Sequence, residues 1–236
     1  MKKAFVPFLL IFSLMGLGML PSCETISDIV EDLLTEGDAS AALKEALRVG
    51  TDTAVANGSA VDGYFANELI KIAMPEEAQP ILNVISLIPL GDELVENVVL
   101  KLNRAAEDAA PEATNILWNA ITEITITDAI NIVNGESDAA TQYLKEHTQD
   151  EIKVLFLPKI ENSLETVGAQ TAWSELTSAY NSVPLVTPVN TDLADYTTDK
   201  ALDGLFHLVA EEEALIREDP VHRVSEILEK VFGDGN

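Results

Sequence analysis

Cysteine occurs once in the 236 residues, at position 23, so no intramolecular disulfide can form and no zinc or iron-sulfur site built from several thiolates is available. Bases are also scarce: 14 Lys and Arg stand against 40 Asp and Glu, a formal charge of -26. A nucleic-acid binder needs a basic stripe to displace counterions from phosphates, so charge excludes that class, and it argues against adsorption to anionic lipid through basic patches. Histidines number three, at 147, 207 and 222, which leaves little material for nucleophilic triads. There is no Gly-x-Ser-x-Gly elbow, no phosphate-binding glycine loop, no His-Glu-x-x-His and no EF-hand ladder. These absences point away from an enzyme and imply no cofactor and no metal.

What is present begins at the N-terminus. Lys2 and Lys3 precede an uncharged apolar run from Ala4 to Leu20, and Leu20-Pro21-Ser22-Cys23 follows. A basic start, an apolar stretch and a small residue before a cysteine resemble the lipobox of bacterial lipoprotein signals. The resemblance implies cleavage before Cys23 and acylation of that cysteine, including palmitate-type chains. An uncleaved span is the competing reading. The apolar run is interrupted by Pro7, Gly16 and Gly18 and is marginal for a hydrocarbon core about 30 Å thick. The expected organisation is a signal peptide at 1–22, a lipidated tether with a short helix at 23–39 and one helical domain at 40–236. The expected location is the cell envelope, with the chain held on a membrane through Cys23 and the domain in the periplasm or at the cell surface.

From Ser40 onward the apolar spacing is helical. Leu43, Ala46, Leu47, Gly50 and Ala54 share a face, and Asn57-Gly58 supplies a stop. Asp62-Gly63-Tyr64 reads as a turn. Pro75 can open a helix running through Val84 and Leu87, closed by Pro89-Leu90-Gly91, and Asp92 can cap the next, with Leu94, Val98, Leu102 and Ala105 inward. Pro111 marks an end or a kink. Residues 121–133 alternate like a strand but have no partner strand, so Thr125 to Asp128 is better read as a capping box opening a helix that stops at Asn134-Gly135. Ser137 or Asp138 caps another piece, and Thr148 to Glu151 reads as a second capping box for a helix kinked at Pro158 and stopped by Gly168. A helix over 169–183, a proline-containing loop, a helix to about Glu218 and a last one after Asp219-Pro220 complete the chain. No internal repeat or composition break marks a second domain. The pattern predicts an all-α fold: a single irregular domain of about ten helices, with no sheet.

Two constellations stand out. Asp203, His207 and Glu211 fall at i, i+4 and i+8 on one helix face, a spacing that could present oxygen and imidazole ligands, although a solvated acidic face carrying one histidine explains it more simply. The stretch from Asn103 to Ala113 sets Arg104 and Glu107 one turn apart among alanines, which allow close helix approach. Arg104 is therefore expected to be largely buried in an ion-pair network, with Asp203, Glu211, Glu212 and Glu213 as countercharges and Arg217 a turn further on.

Asn103 to Ala113, then Asn134-Gly135 with Asp138 to Tyr143, then Lys200 to Phe206 with Ala210 to Glu213, Ile216-Arg217, Arg223 and Lys230 to Gly233, together resemble domain-of-unknown-function family 4197. The likeness runs from about Ala41 to Gly233. It implies a helical domain of exported bacterial proteins with no assigned activity. It also implies an aromatic residue where this chain has His207, which weakens the metal reading further. Carried over by residue, it singles out Asn103, Arg104, Glu107, Asp138, Thr141, Gln142, Tyr143, Lys200, Asp203, Glu211, Glu212 and Arg217, which form a polar core network or a pocket if they converge. Two functions are then expected: a noncatalytic envelope lipoprotein whose domain serves interaction or maintenance with an envelope protein partner, or a small-ligand domain built on Arg104 and the Asp203 to Glu213 helix. A hydrolase or metal enzyme draws least support.

Overall fold

A computed structural model describes residues 36–187, 189 and 192–218. The Cys23 segment and the helix expected after Asp219-Pro220 lie outside the described residues. Among the described residues there are seven α-helices of eight residues or more: α1 Glu36–Ser59, α2 Gly91–Ala109, α3 Thr114–Glu123, α4 Ile126–Val133, α5 Ala139–Thr166, α6 Ala169–Asn181 and α7 Leu193–Glu218. There is no strand among the described residues.

The all-α expectation holds, and the expected count of about ten becomes seven among the described residues, for physical reasons. Two expected pieces are one helix, α5, because Thr148 is buried in its interior and its hydroxyl donates to the Leu144 carbonyl at 2.6 Å instead of capping a new start. Pro158 does not end α5 either. Its missing N–H deprives the Val154 carbonyl of a donor, but Pro158 is exposed and Val154 is 71% exposed, so water can serve that oxygen. The helix expected after Pro75 breaks into a 3-10 turn Glu76–Ala78, a five-residue helix Gln79–Asn83 and a 3-10 turn Ile85–Leu87. At the other end α1 begins at Glu36, so it includes positions assigned to the tether.

Helix α7 is central and packs most extensively on α5 and α1, while α2 lies against α5 and α6. Its Leu202, Leu205, Phe206, Leu208 and Val209 are buried. Leu43, Ala46, Leu47 and Ala54 of α1 are buried as the spacing indicated, and Gly50 leaves room for Glu212 and Ile216, whose side-chain atoms stand 3.4 and 3.5 Å from where its β-carbon would be. Along α2 the small residues Ala105, Ala106 and Ala109 have no exposure, and the helix passes into a 3-10 turn Ala110–Ala113 at Pro111. No single helix among the described residues is long and apolar enough to cross a membrane.

Candidate functional site

The polar residues marked by the sequence gather into two separate clusters. In the first, the buried Asn103 on α2 pairs with the backbone of Ile72 as a neighbouring strand would: its side-chain oxygen accepts from Ile72 N at 2.8 Å and its amide nitrogen donates to Ile72 O at 2.8 Å. One turn along, Glu107 is 5% exposed and its Oε1 accepts from the backbone N–H groups of Tyr64 and Phe65, both at 3.3 Å. Arg104 closes the arrangement, donating to Glu107 Oε2 and to Asp62 Oδ1, each at 2.6 Å. The connection from α1 to the 3-10 turn at Glu76 is therefore fastened to one face of α2 at three points.

Tyr64 carries the same connection into the core. It has no exposure, its hydroxyl donates to the Ala201 carbonyl at 2.7 Å, and a β-carbon on Gly204 would lie 2.5 Å from its ring. Burial, and next the Glu107 carboxylate, push its phenol far above the usual tyrosine range. Two expectations about Arg104 are corrected here. Its side chain is 29% exposed, and its countercharges are Asp62 and Glu107 instead of acids of α7. Asp62 sits at φ 69° in the turn, a conformation that aspartate tolerates better than most residues.

The second cluster centres on Glu213. It is 6% exposed and accepts from Ala140 N at 3.0 Å, Thr141 N at 2.8 Å and Thr141 Oγ1 at 2.8 Å, so a residue of α7 caps the N-terminus of α5. Arg217 donates back to Glu213 from Nε at 3.0 Å and Nη2 at 2.8 Å, and to the carbonyls of Ile132 at 2.9 Å and Val133 at 3.3 Å at the end of α4. A carboxylate at a helix start and a guanidinium at a helix end each meet the favourable pole of the macrodipole. Asp138, the N-cap residue by position, makes no capping bond and instead accepts from Gln142 at 3.1 Å.

The remaining marked residues do not converge on either cluster's interior. Gln142 is exposed, and half-buried Tyr143 stacks on His147 with ring centroids 4.0 Å apart. Asp203 faces out, 3.6 Å from Lys145 and 3.8 Å from Lys200. Glu211 lies 3.4 Å from His207, and Glu212 faces Gly50. Among the described residues no three His, Cys, Asp or Glu side chains are grouped to hold a metal ion. Asp62 and Tyr64, which the sequence marks only as a turn, and Glu213, expected as a countercharge for Arg104, are the ones that join segments; Gly204, next to Asp203, has a detectable signal as a glycine inside an otherwise regular helical stripe.

Chemically, these clusters bind backbone. Every polar atom of Asn103 and both carboxylate oxygens of Glu107 and Glu213 have protein partners. What the geometry defines is an all-helical domain braced internally by two polar clamps. The chain belongs to the family described as protein of unknown function (DUF4197), matched over residues 33–233. No curated protein and no solved structure matches it.

Proposed function

We propose that the chain is an envelope lipoprotein, anchored through acylated Cys23, whose helical domain is a noncatalytic interaction or maintenance module for a protein partner in the envelope. The observation that carries the noncatalytic reading is the occupancy of the marked polar groups: Asn103, Glu107, Glu213 and Arg217 spend their bonding capacity inside the fold. The anchor reading rests on Lys2, Lys3, the apolar run and Leu20-Pro21-Ser22-Cys23. With a formal charge of -26 the chain gains nothing from an anionic lipid surface, so membrane attachment falls to the acyl chains, each buried methylene of which contributes about 0.8 kcal/mol. Small-ligand binding at Arg104 draws less support, because its guanidinium already holds Asp62 and Glu107.

Metabolic labelling with a palmitate analogue tests the anchor. The wild-type chain is expected to take up label and fractionate with membranes, and Cys23→Ser to lose label and accumulate as the longer precursor. Equal processing and retention of the variant would refute it. For the module, chemical crosslinking in intact cells should yield a reproducible partner whose yield falls when surface residues of the domain are changed, with both clamps left intact.

A further inference from the structure

Helix α5 carries a face that neither clamp uses. Glu151, Val154, Leu155, Pro158, Glu161 and Glu165 follow at i, i+3, i+4, i+7, i+10 and i+14, so they share one side of the helix, and all six are exposed. Val154 is 71% and Leu155 45% exposed, and among the described residues they are the one pair of exposed large apolar side chains adjacent in the chain. Single apolar residues on a surface need no explanation, but here Pro158 stands one turn on, and helix geometry makes the three contiguous. A proline inside a helix costs stability, and this one is exposed, so packing returns little of it. It also leaves the Val154 carbonyl without its intrahelical donor, which sets a bare acceptor inside the apolar patch.

Charge selects what can cover this face. Glu151 precedes the patch, Glu161 and Glu165 follow it, and no base stands among the six. None of these three glutamates enters an ion pair among the described residues. The lysines of the same stretch are engaged elsewhere, Lys153 with Asp199 of α7 and Lys159 with Asp108 of α2 at 3.3 Å. Neighbouring elements add acids: Glu123 borders the cleft beside Glu151, and Asp195 acts on Lys153. Arg104, which borders the cleft at Ser163 and Thr166, is held by Asp62 and Glu107. His147 lies one turn before Glu151 and stacks on Tyr143. Anionic lipid would meet the three glutamates with like charge, and a second copy, with 40 acids against 14 bases, offers no excess of cations.

We propose that this face of α5 docks a protein partner through a basic amphipathic helix. The partner's apolar side chains lie on Val154, Leu155 and Pro158, its lysines or arginines meet Glu151, Glu161 and Glu165, and one of its polar side chains donates to the Val154 carbonyl. The proposal rests on the partner role given above and names the surface and the chemistry through which that role is exercised.

A helical peptide of about 18 residues, with a leucine stripe flanked by lysines, is titrated into the full chain in non-ionic detergent against a detergent blank, with the same peptide carrying glutamates as control. The lysine peptide should bind saturably and its counterpart at least about tenfold more weakly. Val154→Ser with Leu155→Ser should lower affinity by about tenfold, as should Glu151→Gln, Glu161→Gln and Glu165→Gln together. Glu93→Gln, Glu96→Gln and Glu112→Gln, exposed acids outside α5, should change it less than about twofold. Pro158→Ala restores the missing N–H, so it should raise the thermal midpoint and yet weaken peptide binding by about threefold, a split that misfolding does not produce. Equal losses in the two glutamine triples, wild-type affinity in the serine pair, or equal affinity for phosphatidylglycerol vesicles or for a second copy would overturn the proposal. In cells, a photoreactive phenylalanine at Leu155 should capture a protein, one at the exposed Leu185 should not, and the α5 glutamine triple should abolish the capture. A partner caught only at position 185 would overturn this surface and leave the partner role standing. Peptide binding with no partner caught at either position would count against the partner role alone.

Discussion

Glu213 accepts five hydrogen bonds from three residues while 6% exposed, so what matters at this position is the charge and its two oxygens together. Glu213→Ala should leave Arg217 facing the end of α4 without its acid and α5 without its cap, at a cost of about 3 to 5 kcal/mol, read by denaturant unfolding. Glu213→Gln retains an acceptor and should lose less; equal losses would mean that shape, not charge, governs the position. Arg104 is the milder case. Its removal leaves Glu107 still held by two backbone N–H groups, and Asp62 is half exposed, so Arg104→Ala is expected to cost about 2 kcal/mol, with Arg104→Lys recovering part of it. An unchanged unfolding midpoint would remove Arg104 from the clamp. At this scale the sequence disclosed which polar residues are unusual and misassigned their partners. Alanine neighbours revealed that Arg104 and Glu107 lie on a packed face, but nothing in a linear pattern pairs position 104 with position 62, or chooses Glu213 over Glu211 and Glu212 when all three are glutamates in a row. Helix phase decides that choice: 213 falls among the buried positions 209, 213 and 216, while 211 faces out.

Helix α4 shows how well local chemistry was legible. Its capping box was readable as Thr125 and Asp128, and both reciprocal bonds are present, with Asp128 N donating to Thr125 Oγ1 at 3.2 Å and Thr125 N to Asp128 Oδ2 at 3.2 Å. The Thr125 hydroxyl first, and its backbone N–H second, hold the Asp128 carboxyl below the usual aspartate range. A folded value below the unfolded one means that this contribution is complete above about pH 3.9 and fades as pH falls through the folded value. NMR titration should therefore place Asp128 below 3.9, and Thr125→Ala should return it toward that value; an unshifted Asp128 in the wild type would show the box to be open in solution. The same local chemistry misled at Thr148, where a similar pattern, a threonine with an acid three residues on at Glu151, lies inside α5, because a threonine hydroxyl can bond back to the carbonyl four residues earlier and tertiary burial outweighs a cap. Between elements, Gly204 is the tightest joint. Gly204→Ala would set a methyl 2.5 Å from the Tyr64 ring, whose other edge lies near Gly58, where an added β-carbon would stand 3.3 Å from it, so the ring has little room to withdraw. A loss of about 1 to 3 kcal/mol is expected, with Gly58→Ala nearer the low end. Stability unchanged by Gly204→Ala would mean that Tyr64 does not occupy this pocket.

For the whole molecule the governing quantity is the excess of acids, 40 against 14 bases, so most carboxylates have no base to pair with. The pairs that do form divide by depth. Glu107 and Glu213 are 5% exposed as side chains and bind at 2.6 and 2.8 Å, whereas the acids at Lys145, Lys153, Lys159 and Lys200 are 54% to 57% exposed. Exposed pairs contribute about 0 to 1 kcal/mol each and weaken with salt, while repulsion among unpaired carboxylates extends over many ångströms and weakens with salt more. Folding brings those carboxylates closer, so self-repulsion acts against the compact state. Raising sodium chloride from about 0.01 to about 0.2 M shortens the screening length from about 30 Å to below 10 Å, and the thermal midpoint should therefore rise. The difference between wild type and Glu213→Gln should change little over the same interval, because a clamp that is 5% exposed lies largely beyond the reach of counterions. Calorimetry at several salt concentrations measures both quantities. A midpoint that falls with salt would show that exposed ion pairs outweigh repulsion, and a Glu213→Gln difference that shrinks with salt would place the second clamp in water.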